Sequence, residues 1–307
     1  MPASAPRVDV HQHLWPESFL DALRSRRVPP RVDGWTLLLD DAPPYAIAPA
    51  AHDPRARAVQ AADDGLDRVL VAVSAVLGLA DLPPGEASEL ATAWHEGALS
   101  LPAPFEPWAT AGLIEQDATA LAGALDAGCV GLELPATALA TPAAVERLGP
   151  LLQELERADR PLLVHPGPIS PATSVGVPGW WDPVVGYVHQ LHAAWWAWWE
   201  AGRESFPRLQ LCFVALAGLA PLHGERHRAR GGEDRAVDPG VFLETSCYGT
   251  RALDATVRTL GVDVICNGSD RPYADPLDFG LGEPVAHALR VVNPARLAPE
   301  PVGAART

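Results

Sequence analysis

Along most of the chain, short runs of β-branched and other apolar residues alternate with longer stretches in which Ala and Leu recur at helical spacing. The apolar runs fall at 7–11, 68–74, 108–114, 129–134, 161–165, 209–215, 241–246 and 262–267. Helical patterns lie between them, near 16–28, 54–65, 86–99, 117–127, 142–158, 184–203, 219–229, 250–260 and 283–292. Strands that are apolar along nearly their whole length need cover on both faces, and intervening helices supply it. The pattern therefore predicts parallel strands joined by helical crossovers. Eight such units predict an α/β fold closed into a (β/α)8 (TIM) barrel, and 307 residues accommodate the roughly 250 that such a barrel takes. No GxGxxG follows the first run, which removes the main reason to prefer an open dinucleotide-binding sheet.

Two stretches interrupt the rhythm. Residues 29–53 predict a small hairpin or lid after the first strand, and the Pro/Gly-rich residues 166–183 predict a long loop directly after the fifth. Both belong to the C-terminal face of the barrel, where active sites are built. The expectation is one domain over 1–293, with a flexible tail at 294–307.

Composition narrows the classes of function. With 48% apolar and 20% charged residues, the chain can bury a sizeable core and does not read as disordered or fibrous. Its 38 acidic and 23 basic side chains leave a net charge of −15, and no Lys/Arg cluster offsets that field, so no nucleic-acid partner is expected. No segment approaches 18 uninterrupted apolar residues, and MPASAPRVDVHQH lacks the apolar stretch of a signal peptide. A soluble, cytoplasmic protein with no membrane partner is expected. Cys129, Cys212, Cys247 and Cys266 stand singly in apolar runs, which predicts buried free thiols rather than disulfides.

The candidate chemistry sits at strand ends. In Asp9-Val10-His11-Gln12-His13, residues i and i+2 share a face, so both imidazoles point into the barrel mouth. His165 closes the apolar run LLVH, and Asp270 follows the eighth run, which neighbours the first in a closed barrel. Three His and one carboxylate form a mixed N/O set suited to one divalent ion, Zn²⁺ first, with Mn²⁺ or Fe²⁺ as alternatives. Glu133 and Glu244 fall inside apolar strands, where a carboxylate needs a partner.

VDVHQH, LLVHPG and GSDRPYADP together resemble the amidohydrolase superfamily, in its aminocarboxymuconate-semialdehyde-decarboxylase-like (amidohydrolase 2) branch, over nearly the whole chain. The resemblance implies a mononuclear site ligated by His11, His13, His165 and Asp270, with a water completing the shell. Leu216-Ala217-Gly218, Pro221 and Arg226 match the branch's strand-six segment, yet the His that begins it is Ala215 here. The ligands are kept and a proton-handling partner is lost. Asp270, which takes a proton-shuttling role in the superfamily, is the expected catalytic residue, and His189, His192 and His223 are further candidates.

Six of ten Trp lie between 180 and 199. Trp180 and Trp181, in the strand-five loop, are expected to wall a flat substrate. Trp195, Trp196, Trp198 and Trp199 ring a helix, which predicts packing on the barrel and on a neighbouring subunit, hence a homo-oligomer, with a dimer favoured. Arg226 and Arg271 either clamp a substrate carboxylate or pair with acidic side chains, and the sequence leaves both readings open. The function expected first is metal-dependent hydrolysis of a small-molecule amide, cyclic amide or lactone by a metal-bound water. The alternatives are non-oxidative decarboxylation of an aromatic or enoic acid, and a repurposed, non-hydrolytic role in a specialised pathway.

Overall fold

A computed structural model describes residues 5–40, 42–169, 176–233, 236–276 and 278–299. Eight short parallel strands run in chain order: β1 (Val8–His13), β2 (Arg68–Ala72), β3 (Phe105–Pro107), β4 (Leu132–Pro135), β5 (Leu162–His165), β6 (Leu211–Phe213), β7 (Val241–Glu244) and β8 (Ile265–Cys266). Ladders join β1 to β2 to β3, and β4 through to β8. Two seams close the ring. Ala109 bridges Leu132 between β3 and β4, and Gln12 bridges Arg271 between β1 and the segment after β8. The predicted (β/α)8 barrel is thus the observed fold.

Period-2 alternation decides which side chains fill the interior. On β2, Leu70 and Ala72 join the barrel core with Val8, Val10, Leu132 and Leu134, whereas Val69, Val71 and Val73 pack outward on a separate cluster with Phe19, Leu23, Leu90 and Trp94. These outer residues belong to helices Glu17–Ser25 and Pro84–Leu99. Helix starts follow their caps: Asp53, Asp117 and Thr141 each accept a backbone N–H from the first turn.

Several boundaries differ from the sequence reading. The third strand is Phe105–Pro107, not 108–114, because its prolines read as loop. Their carbonyls still serve the ladder: Val69 N–H donates to Pro104 O and Val130 N–H to Pro107 O, both at 2.9 Å. The helix read over 219–229 is α-helical only at Gly224–Ala229, and a left-handed turn leads into this segment, in which Ala215, Leu216, Ala217, Gly218 and Leu219 have φ between 48° and 61°. Residues 294–299 are not a tail, since helix Asn293–Leu297 seats Leu297 at 0% exposure and the Ala298 carbonyl accepts from Arg68. The remainder, 300–307, lies outside the described residues. The 29–53 insertion is a three-stranded antiparallel sheet of Arg31–Asp33, Thr36–Leu38 and Tyr45–Ala46. Among the described residues, no helix is long and apolar enough to cross a membrane.

The four tryptophans of the aromatic helix find neighbours in their own chain. Trp195 meets Phe213 edge-on at 5.5 Å, Trp198 stacks on Phe206 at 6.2 Å, and Trp196 stacks on His227 at 4.8 Å.

Two histidines, His52 buried and His95 half-buried, act as neutral acceptors: His52 Nδ1 takes the Trp15 N–H, and His95 Nε2 takes the Thr110 N–H, each at 3.0 Å. Burial, reinforced by the charges of Arg57 and His13, pushes His52 down to about 3. Burial also pushes His95 down to about 4, partly opposed by its Thr110 bond. The unfolded chain protonates both rings near pH 6.5, whereas the folded protein resists until far lower. The stability these rings contribute is therefore complete above about pH 6.5 and is lost as pH falls from there towards 4 and then 3. Urea unfolding between pH 7 and 4 should show free energy falling by up to ~1.4 kcal/mol per pH unit for each ring. His95→Gln should make that slope shallower, and an unchanged slope would remove His95 from the account.

Candidate metal centre

The ends of β1, β5 and β8 bring four side chains to one point. His11, His13, His165 and Asp270 each offer one ligand atom, and these atoms all lie within 4.8 Å of one another. A bulge in β1 between Asp9 and Gln12 shifts its register against β2 and aims the strand end at the mouth. His11 Nε2 and His13 Nε2 stand 3.1 Å apart, and His13 Nε2 lies 3.1 Å from Asp270 Oδ1. The three imidazole centroids form a triangle with sides of 4.8, 5.0 and 5.3 Å.

Each ring is fixed from behind through Nδ1, which leaves Nε2 facing inward. His13 Nδ1 donates to the Ala72 carbonyl at 3.0 Å, and His165 Nδ1 donates to the Pro166 carbonyl at 2.8 Å. His11 Nδ1 lies 3.2 Å from Ser246 Oγ and 3.5 Å from Glu244 Oε1. Donors of this kind, converged at burial and held by their far sides, fit a divalent ion with N/O preference.

The two strand carboxylates have become supports. Glu244 accepts from the Ala215 N–H at 2.5 Å, the Ser246 N–H at 2.8 Å and the Ser246 O–H at 2.5 Å, so it braces both His11 and the strand-six turn. Gly268 permits this approach, since a Cβ there would fall 2.0 Å from Glu244 Oε2. Glu133 accepts the Val73 and Ala75 N–H groups at 3.1 and 2.9 Å and lies 3.8 Å from His165 Nδ1.

Charge follows this layout. Burial works against a charged His11, but the Glu244 hydrogen bond and the charges of Glu244, Asp270 and Glu133 outweigh it and push the ring up to about 9. His165 is held well down by burial and by the two neighbouring imidazoles. Burial alone would raise Asp270, yet its hydrogen bond to His13 and the three histidines keep its carboxyl below the usual range.

The other expected residues divide. Trp181 is half-buried and leans on exposed Trp180 at 5.8 Å between centroids, both on the strand-five loop, of which 170–175 lie outside the described residues. Arg271 is engaged by its own chain, 3.0 Å from Asp64 and 3.2 Å from Asp275, so the pairing reading is the one realised. Arg226 is exposed on the helix after the strand-six turn. His192 takes the Trp196 Nε1–H at 3.1 Å and meets His223 at 4.9 Å, on the outer helix layer rather than with the four ligands. Neither ring belongs to the cluster of His11, His13, His165 and Asp270.

Three residues at the mouth escaped the sequence reading. Tyr273 sits 5.2 Å from the His13 ring, and Tyr45 from the small insertion sheet meets Tyr273 at 6.1 Å. Cys247 is exposed, not buried as expected, with Sγ 4.0 Å from Asp270 Oδ2, because its φ of 63° turns the chain out of β7. The signal for Tyr273 was its place in GSDRPY, three residues beyond Asp270. Nothing in the local pattern marks Tyr45 or Cys247.

No family model matches the chain, and no curated protein matches its sequence. Solved structures do match in fold. IDCase of Metarhizium anisopliae superposes with a TM-score of 0.77 at 18% identity, over 96% of this chain and 97% of its own. A 5-carboxyvanillate decarboxylase of Sphingomonas paucimobilis gives 0.75 at 17% identity, over 96% and 99%. A 5-carboxyvanillate decarboxylase of Novosphingobium aromaticivorans, solved with manganese and 4-hydroxy-3-methoxy-5-nitrobenzoic acid, gives 0.70 at 16% identity, over 96% of each chain. The chain thus shares its barrel fold with these decarboxylases over nearly its whole length.

Because His11 must shed its proton to bind metal, apparent affinity for Mn²⁺ or Zn²⁺ should climb as pH rises towards about 9. Glu244→Gln should weaken metal binding by about 10- to 100-fold, the usual effect of losing a ligand's orienting partner. Calorimetric titration of the chelator-treated protein at several pH values checks both. Equal affinity in the variant would show that Glu244 supports only the backbone turn.

Proposed function

We propose that this barrel, built like the amidohydrolase-type decarboxylases, is a metal-dependent non-oxidative decarboxylase (carboxy-lyase) of a small aromatic or enoic acid. The observation that carries the reading is the buried three-histidine, one-aspartate cluster opening onto an aromatic rim of Tyr273 and Tyr45. The decarboxylases that share the fold support carboxy-lyase chemistry over the hydrolysis expected first from the sequence. Manganese thereby stands beside zinc as the metal.

His11, His13, His165 and Asp270 would hold the ion. Once bound, it supplies a Lewis acid that orients and polarises an oxygen of the substrate. The surrounding residues do the rest. Tyr273 and Tyr45 offer flat faces to an aromatic or conjugated body, and Trp180 and Trp181 extend that wall from the strand-five loop. With Arg271 already paired to Asp64 and Asp275, recognition of the substrate carboxylate falls to the centre itself.

Asp270 carries the proton. Its carboxyl rests ionised, with Oδ1 turned to His13 and Oδ2 on the side of Cys247. It takes a proton from solvent at the open mouth and passes it to the carbon that CO₂ leaves. The electron pair of the broken C–C bond becomes the new C–H bond, so one proton is consumed and one CO₂ released. Ala215 offers no ionisable group beside it, which leaves Asp270 without the helper that a strand-six histidine would provide.

The test is a panel of hydroxybenzoic and enoic acids in D₂O, beside amides and lactones in ¹⁸O-labelled water. The expected result is CO₂ in the headspace with deuterium at the vacated carbon, and a loss of roughly 10² or more in kcat for Asp270→Asn. Incorporation of ¹⁸O into product without CO₂ would restore the hydrolytic reading.

A further inference from the structure

Two of the three imidazoles in the cluster lean on a peptide carbonyl, and in both cases a side chain from elsewhere grips the N–H of that same peptide. His13 Nδ1 donates to the Ala72 carbonyl at 3.0 Å, and the N–H across that peptide, on Val73, donates to Glu133 Oε2 at 3.1 Å. His165 Nδ1 donates to the Pro166 carbonyl at 2.8 Å, and the N–H across that peptide, on Gly167, donates to Gln190 Oε1 at 2.7 Å. His11 needs no intermediary, because Ser246 and Glu244 stand directly behind its Nδ1.

Gln190 belongs to the outer helix Tyr187–Ala197 and is not among the four groups that converge. Its amide is nevertheless held in one sense. Nε2 donates to the Gly167 and Pro168 carbonyls at 3.3 and 3.0 Å, so turning the amide over would set its oxygen against two other oxygens. The peptide it grips is wedged from the other side as well. A Cβ on Gly167 would fall 2.7 Å from Thr137 Oγ1 and 2.9 Å from Pro135 Cβ, so only glycine lets the chain pass this close to the turn after β4.

An amide whose N–H is bonded to a good acceptor carries more negative charge on its carbonyl oxygen, because hydrogen bonds in a chain polarise one another. A stronger acceptor behind Nδ1 holds the proton there and leaves Nε2 as the free, more basic nitrogen. A carboxylate does this directly for many metal-bound histidines, and here a peptide stands between the side chain and the ring.

We propose that Gln190 is a positioning residue for His165, acting through the Pro166–Gly167 peptide to fix the ring and to strengthen the hold of Nε2 on a metal ion. Glu133 stands in the same relation to His13. The proposal rests on the metal-binding reading of the four groups and is independent of which reaction they perform.

The two ends of the Gln190 amide can be tested separately. Gln190→Met keeps the length and removes acceptor and donors together, whereas Gln190→Glu keeps an oxygen for the Gly167 N–H and loses only the donors that pin the loop. Zn²⁺ is titrated by calorimetry into each chelator-treated protein. Gln190→Met should bind about tenfold more weakly than wild type, and Gln190→Glu should stay within about threefold of it. In metal-free protein labelled with ¹⁵N-histidine, the His165 Nδ1–H resonance, identified by its loss in His165→Ala, reports the relay itself. It should move upfield in Gln190→Met and downfield in Gln190→Glu, with the His13 resonance unmoved in both. Should Gln190→Met not fold, the direction of the shift in Gln190→Glu decides. Equal weakening by both variants, or an upfield shift in Gln190→Glu, would mean that Gln190 only pins the loop and would overturn the proposal. Unchanged affinity in Gln190→Met would do the same. If the wild type itself took up no Zn²⁺, the metal assignment would fall first and this proposal with it.

Discussion

The structure depends on the seam at which the last strand meets the first. β8 is only two residues long, so the ring is closed largely by the segment Asn267–Arg271 beyond its end. Val10 N–H donates to Asn267 O, Asp270 N–H to His11 O and His13 N–H to Arg271 O, at 2.9, 3.0 and 2.6 Å. A buried carboxylate locks this ladder. Asp9 accepts from the His11 N–H, the Gln12 side chain and the Ser269 N–H, and so ties both strands to one group. Burial raises its pKa against those bonds, which makes each of them matter. Arg57 adds an outer clasp through Gln12 Oε1 and the His13 carbonyl, and burial depresses it to about 10. The same peptides that close the barrel set Asp270 opposite His11 and His13. Folding and ligand placement are one event at this seam.

The other strand ends show how the mouth is shaped. Ser74, Ala215, Cys247 and Asp270, just past β2, β6, β7 and β8, all have positive φ, although none is glycine. A left-handed L-residue costs roughly 1–2 kcal/mol. The cost persists where neighbours hold the backbone in place, and two buried glutamates do so. Glu133 gathers the N–H groups of Val73 and Ala75 on either side of Ser74, and Glu244 gathers those of Ala215 and Ser246 on either side of β7. Each also stands behind a histidine of the candidate metal cluster, Glu133 behind His165 and Glu244 behind His11. Turn geometry and imidazole orientation thus share the same carboxylates.

What the sequence made legible was what rests on period and order. Continuous apolar runs marked seven of the eight strands where the barrel has them, and His11, His13, His165 and Asp270 could be assigned to one rim because strand ends share a face and β8 neighbours β1. The misses have a different physics. Pro104 and Pro107 hid β3, because a proline lacks a donor yet keeps a useful carbonyl. Leu219 read as the start of a helix, because residue type carries no mark of a left-handed φ that tertiary contacts impose. Cys247 looked like core for the same reason. Tyr45 reaches Tyr273 only because the insertion sheet folds back over the mouth, a contact between residues more than two hundred positions apart.

The turn at 215–219 explains how a barrel can lose a strand-six side chain and keep its site. Four non-glycine residues in left-handed geometry cost on the order of 4–8 kcal/mol together. Against this stand the full burial of Leu216, worth about 1.5–3 kcal/mol, and the Glu244 bond to Ala215, charge-assisted and of similar size. The turn is therefore held largely by its backbone and by Leu216, with Ala215 partly buried against the same core. The contribution of the sixth strand to this centre is consequently a peptide N–H that steadies Glu244, and through it His11, rather than a group that moves protons. Asp270, the one carboxylate of the candidate cluster, has its own position fixed by the seam. The hydrogen bonds that close the barrel thus also place the carboxylate of the candidate cluster.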